Sequence, residues 1–249
     1  MNDLSSVYGH ALLAQLADNP ASRQLAFRLR HQVYCKERGF EPDDRYPLGL
    51  ERDEHDDRAI HILVRNRRCG APLGVSRVVL DDPDGGTPLP VETHGCTEVR
   101  ERLERLRMMD NVKVAEVSRF AVTRNLRRIM ELQRGIGSVH VSMGVVAMIF
   151  AQSWRYGVTH WIGLLDACLP RFLRRLGIGC QPIGSVIEFR GTRQPVMADL
   201  RDVWEGVDRR NPELTRLAER FAGEGPIPRR KPSRPAANVE MQAVQAGVA

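Results

Sequence analysis

The stretch Glu116-Val117-Ser118-Arg119-Phe120, followed by Ala121-Val122, sets a carboxylate and a guanidinium three positions apart inside an apolar, strand-like run. Alternation along a strand sends Glu116 and Ser118 to one face and Val117 and Arg119 to the other. A buried carboxylate is costly unless it is paired or hydrogen-bonded. Such a strand therefore carries either a structural ion pair or chemistry.

Three arginines share this ambiguity. Arg30 lies on a helix that otherwise packs its apolar face, Arg77 in an apolar strand, and Arg119 in another. A guanidinium matches carboxylates in bidentate geometry. Arg30, Arg77 and Arg119 facing Asp53, Asp56 and Glu116 would form a buried network.

The acidic cluster Glu51, Asp53, Glu54, Asp56 and Asp57 reads as a solvated loop before a strand, or as a metal site. It misses the calcium-loop spacing and lacks that loop's glycine. His55 and His61 read as surface or strand-face residues rather than ligands. Gly135-Ile136-Gly137 is helix punctuation, or a set of N–H groups for a phosphate beside Arg134. Nucleophile-elbow, P-loop and zinc-histidine patterns are missing.

Around these residues the chain reads as one α/β domain over 1–222, with a Pro-, Ala-, Gln- and Arg-rich tail over 223–249 predicted to be disordered. Leu12 to Phe40 reads as helical, with Leu25, Leu29 and Val33 on one face and Gly39 as its stop. Ala59–Arg65 and Leu73–Leu80 read as a hairpin. A charged helix spans Glu98–Met109, with Leu103 and Leu106 as its apolar contacts. The strand Val112–Val122 follows, then a basic loop over Arg124–Arg134. A helix over Val139–Tyr156, a strand over His160–Leu165 and a short helix over Pro170–Leu176 come next. Val186–Arg190 reads as a late strand and Asn211–Phe221 as a final helix.

The 249 residues are 42% hydrophobic, enough for a full core. No apolar run approaches the ~20 residues of a membrane span, and the N-terminal residues predict no secretory leader. Five cysteines without paired spacing predict free thiols in a reducing cytoplasm. The tail's Arg229, Arg230, Lys231 and Arg234 contribute to the formal +6. The body is then only modestly basic, which suits an acidic protein partner and excludes a strong nucleic-acid stripe.

Taken together, Arg30-His31-Gln32-Val33-Tyr34, Glu37-Arg38-Gly39-Phe40, Glu51 to Asp57, Gly74 with Arg77, and Glu116 to Val122 resemble, in this order, the acyl-homoserine-lactone synthases and their N-acyl amino acid synthase relatives. The stretches Tyr46–Glu54 and Arg190–Pro195 resemble the PEP-CTERM/exosortase system-associated acyltransferases within that group. The resemblance runs from about residue 20 to residue 205.

It implies a GNAT-like mixed sheet flanked by helices, whose Val112–Val122 and His160–Leu165 strands splay to admit a pantetheine arm. It implies an acyltransferase using acyl-phosphopantetheine as co-substrate, from acyl carrier protein or coenzyme A, with no permanently bound cofactor. By analogy Glu116 is the general base, with Ser118 and Arg119 beside it. Arg30, Tyr34, Phe40, Asp53, Asp56 and Arg77 shape the amine pocket. Phe120, Ala121 and Val122 meet the acyl donor, and Arg127 and Arg128 meet its carrier.

The expected acceptor is an amino acid or similar amine, with peripheral contact to a lipid product. Homoserine-lactone synthesis and a non-catalytic acyl- or carrier-binding module are the alternatives. Two departures matter. Phe40 stands where lactone synthases usually carry tryptophan, and the Arg124–Met143 stretch lacks a clean pyrophosphate loop.

Overall fold

The computed structural model describes residues 3–82, 86–126, 135–166 and 169–223. After a short helix α1 (Leu4–His10), strand β1 (Leu12–Leu16) pairs antiparallel with β2 (Ala59–Asn66), from Leu12 opposite Asn66 to Leu16 opposite Ile62. The expected single helix over Leu12–Phe40 is thus corrected. Leu12, Ala14 and Leu16 alternate as a strand, and Asn19 opens α2 (Pro20–His31) with a reciprocal cap to Ser22 and proline at the first turn. Leu29 and Val33 bury the expected face, against Leu63 and Val75. The helix then widens into a π-helical turn over Gln32–Glu37, a distortion common at functional sites.

β2 and β3 (Pro72–Leu80) form the expected hairpin. Helices α3 (Pro90–His94) and α4 (Thr97–Arg107) cross one face, where Val91, Val99, Leu103 and Leu106 pack on Val79, Val114 and Ile162. Strand β4 (Val114–Val122) returns antiparallel to β3. Helix α5 (Ser138–Arg155) covers the other face, its apolar side almost wholly buried.

β5 (His160–Asp166) lies parallel to β4, and α6 (Leu169–Leu176) follows it. Beyond come the two-residue strands β6 (Gln181–Pro182) and β7 (Ile187–Glu188), and β8 (Thr192–Asp199). Helices α7 (Leu200–Arg210) and α8 (Pro212–Ala222) close the described chain.

The expected strand over Val186–Arg190 shrinks to β7. The long late strand is β8, paired with β5 over seven positions from His160 opposite Asp199 to Asp166 opposite Arg193. Its Arg193, Gln194 and Pro195 carry little strand propensity, so the pairing with β5 decides. The sheet order is β1-β2-β3-β4-β5-β8-β6, with β7 also on β8. This is a mixed α/β sheet flanked by helices, as expected. No helix among the described residues is long and apolar enough to cross a membrane.

Candidate active site

Parallel pairing between β4 and β5 stops early. Val114, Ala115 and Glu116 pair with His160, Trp161 and Ile162, and there the two strands part. Gly163 stands at the apex of the wedge. A Cβ there would lie 2.8 Å from the Val117 carbonyl oxygen, so only glycine allows this close approach. Parted strands leave backbone N–H and C=O groups that a ligand can satisfy. The wedge opens into a cavity of about 1010 Å³, lined by Val117–Val122 on one side and Gly163–Asp166 on the other.

A bulge re-aims the β4 side chains. Val75 pairs with Ala121 and Arg77 with Ser118, so Arg119 and Phe120 together oppose Ser76. Arg119 takes the left-handed conformation, with φ 54°. Strict alternation fails at this point: Ser118 accepts from Arg77 Nε at 3.1 Å, and Arg119 reaches the Asp53 carboxylate that Arg77 also holds. Such a backbone conformation costs about 1–3 kcal/mol in a non-glycine residue and persists where its surroundings fix it.

Those surroundings are the buried ion network. Arg30, with no exposed surface, donates to Glu51 through Nε and to Asp56 through Nη1 at 2.6 Å. Arg77 Nη1 meets Asp53 Oδ1 at 2.5 Å and Asp56 Oδ1 at 2.7 Å, and its Nη2 meets Asp53 Oδ2 at 2.9 Å. Arg119 Nη2 meets Glu51 Oε1 and Asp53 Oδ2, each at 3.0 Å. Burial alone would raise the Asp53 carboxyl, but the bonds to Arg77 and the charges of Arg77 and Arg119 hold it below the ordinary range.

The reading of the acidic cluster as solvated holds for Glu54 and Asp57, which are exposed, and is corrected for Glu51 and Asp56, which are buried within the network. The expected partner set is corrected too. Glu51 occupies the place given to Glu116, which forms no ion pair among the described residues. Among the same residues no group of three or more side chains is placed to hold a metal.

Glu116 lies apart, buried at 2% exposure on the cavity wall. Its Oε2 accepts the Val91 N–H at 2.6 Å, from the first turn of α3. Burial pushes its carboxyl up from 4.5 to about 7. The Val91 bond, the charges of Arg77 and Arg119, and the Ser118 hydroxyl pull it down without prevailing. A carboxylate poised near neutrality beside a cavity suits proton transfer.

The cavity has two characters. Toward the network it is aromatic and charged. Tyr34 lies under Arg119 at 5.5 Å, Phe40 under Arg193 at 4.9 Å, and His94 stacks on Phe189 at 3.9 Å. Beyond the wedge it is apolar, walled by Phe120, Val146, Ile149, Leu164 and Phe172, with Phe120 and Phe172 6.3 Å apart.

Of the sequence-based candidates, Tyr34, Phe40, Asp53, Arg77, Glu116, Ser118, Arg119, Phe120, Ala121 and Val122 line this one cavity. Arg30 and Asp56 stand behind it in the network. Arg127, Arg128 and Arg134 lie outside the described residues. Ile136 and Gly137 reach the cavity wall, but the Gly137 N–H is taken by His140 Nδ1 at 3.1 Å. The reading of His55 as a surface residue is corrected: it is buried on the cavity wall. His61 is buried on its strand.

Sequence reasoning missed Glu41, Glu51 and Arg190 as network members. Glu41 Oε1 binds Arg190 Nη2 at 2.5 Å. Charges adjacent in space but distant in sequence leave no spacing to read.

Residues 29–134 match the family described as the acetyltransferase (GNAT) domain. Among solved structures, FeeM, an N-acyl amino acid synthase from uncultured soil microbes, is similar with a TM-score of 0.57 and 16% identity, over 78% of this chain and 93% of FeeM. The acyl-homoserine-lactone synthase LasI gives 0.56 and 15%, over 79% of this chain and 96% of LasI. BjaI, a CoA-dependent acyl-homoserine lactone synthase, gives 0.54 and 22%, over 88% of this chain and 92% of BjaI. A comparison with curated protein sequences finds no match. These structural likenesses establish a GNAT-like fold, within which residues 29–134 are similar to the acetyltransferase (GNAT) domain.

Proposed function

We propose that the protein is an N-acyltransferase, moving a fatty acyl group from a phosphopantetheine thioester to the amine of an amino acid or similar small molecule. The observation that carries this reading is the position of Glu116. It ends the paired part of β4 and β5, between the apolar and the charged halves of one cavity.

In this scheme the pantetheine arm lies in the wedge and its amides meet unpaired backbone of β4 and β5. The acyl chain fills the apolar half, and the acceptor sits among Tyr34, Phe40, Arg77 and Arg119. The Glu116 carboxylate takes a proton from the amine, directly or through one water. The nitrogen lone pair attacks the thioester carbonyl, and backbone N–H groups around Phe120–Val122 stabilise the oxyanion. Collapse breaks the C–S bond, the thiolate takes up a proton, and an amide results.

The ion network gives Arg119 and Asp53 fixed positions, and a rigid first layer favours a productive approach. Acyl carrier protein is the donor this reading favours, since a carrier presents phosphopantetheine without the nucleotide that a clean pyrophosphate loop would hold. A basic surface including Arg124 would suit its acidity. The Tyr46–Glu54 and Arg190–Pro195 stretches support a relation to exosortase-associated acyltransferases.

A second reading, acyl-homoserine-lactone synthesis, draws on the likeness to LasI and BjaI. Incubation of the purified protein with acyl carrier protein or acyl-coenzyme A and pooled amino acids, followed by mass spectrometry, tests both. An N-acyl amino acid supports the first reading. A lactone formed only with S-adenosylmethionine supports the second, and thioester binding without product refutes catalysis.

A further inference from the structure

We infer that His55 determines acceptor specificity: Arg58 fixes its ring as an Nε2–H donor that hydrogen-bonds a carbonyl or carboxylate oxygen next to the reacting amine. The inference rests on the acyl-transfer reading above and adds to it the residue that tells an amino acid from a plain alkylamine.

His55 precedes a 3-10 turn over Asp56–Arg58, its own N–H donating to Asp53 Oδ1 at 3.0 Å. It is 4% exposed and lines the cavity. Its Nδ1 lies 3.3 Å from Arg58 Nη2. A guanidinium has donors only, so Nδ1 must offer its lone pair, and a neutral ring then carries its proton on Nε2. Arg58 is itself tied down, donating to the carbonyls of Pro88 at 2.5 Å and Thr87 at 3.0 Å. The tautomer is thus set by the fold.

The other nitrogen is spare. Its ion-pair neighbour is Glu54 Oε1 at 3.6 Å, beyond hydrogen-bonding range, on a side chain that is 73% exposed. The arginines nearby are largely engaged. Arg77 donates through Nε, Nη1 and Nη2 to Ser118, Asp53 and Asp56, and Arg119 through Nε and Nη2 to Glu51 and Asp53. The network cancels its own charge, so His55 adds a neutral donor to the charged ones on the cavity wall.

Charged groups face the ring from several sides: Asp53 and Glu54 from its own loop, Arg58 from the turn, Arg77 from β3. Burial, followed by Arg77 and Arg58, depresses its pKa against the opposing pull of Asp53 and Glu54, so the ring stays neutral near pH 7. A site with a buried donor discriminates against a ligand that cannot pair it.

Two measurements test this. Nitrogen-15 NMR of the histidine rings should show His55 as the Nε2–H tautomer from about pH 7 to about pH 8, with Arg58→Met releasing that preference. A Nδ1–H or charged ring in the wild type overturns the inference whether or not turnover is seen. In kinetics, His55→Leu should raise the KM for an amino acid about tenfold and change kcat less than about threefold. Turnover of the matching alkylamine should be unchanged, and His55→Gln, which keeps a donor, should recover part of the loss. Equal selectivity in wild type and His55→Leu overturns the role of His55. Failure of the wild type to acylate any amine instead overturns the proposed function.

Discussion

The backbone N–H of Val91 donates to Glu116 Oε2 at 2.6 Å, tying the first turn of α3 to the acid at the head of the β4–β5 wedge. The bond fixes one carboxylate oxygen, and the Ser118 hydroxyl also bonds this carboxylate. The Val91 bond also partly offsets the burial that lifts this carboxyl to about 7.

Activity should therefore rise with pH through about 7 and level off above it, because the ionised form is the base. Glu116→Gln should lower the rate of amide formation about 10²–10⁴-fold and remove that rise. The stability effect has the opposite sense. A carboxyl whose folded pKa is raised loses stability as pH climbs from 4.5 to about 7, a cost of up to about 3 kcal/mol that is fully present above that range. Glu116→Gln should accordingly be more stable than wild type at about pH 8 in urea titrations, and close to it at about pH 4.

Arg30 is fully buried, and its loss removes one of the two arginine partners from each of Glu51 and Asp56. Arg30→Met should destabilise the fold by about 3–5 kcal/mol by thermal or denaturant unfolding. An exposed arginine such as Arg105 should cost less than about 0.5 kcal/mol when replaced.

Gly163→Ala would place a methyl group 2.8 Å from the Val117 carbonyl oxygen, so the strands must shift at the point where they part. The thioester donor should bind about tenfold more weakly, with the amine KM less affected, as measured by initial-rate kinetics with each substrate varied.

On the proposed reading, the apolar half of the cavity would set the acyl chain. Phe172→Ala should shift the preferred donor toward longer chains and Val146→Phe toward shorter ones, read as product distributions from a mixed thioester pool. Each methylene that is gained or excluded is worth about 0.8 kcal/mol.

Much of this arrangement was legible in the sequence because strands and helices announce themselves by period. The β2–β3 hairpin, β4, α5 and β5 all carry clear apolar patterns, and Glu116, Arg77 and Arg119 stood out as charges inside them. The failures have local causes. β1 was absorbed into the helix behind it, since Leu12 and Leu16 also fit a helical spacing. β8 was missed because Arg193-Gln194-Pro195 gives no strand signal by itself. The bulge at Arg119 depends on how β3 and β4 pair, and no residue in the segment marks it. Glu51 looked like one acid among five, and only the approach of Arg30 and Arg119 distinguishes it.

A crystal structure with a non-hydrolysable acyl-pantetheine analogue tests the central claim most directly. The account predicts the arm between Val117–Val122 and Gly163–Asp166, its amides bonded to strand backbone, with the acyl carbonyl in the polar zone beside Glu116 and the chain among Phe120, Ile149 and Phe172. An analogue bound elsewhere, with β4 and β5 closed on each other past Ile162, would contradict it.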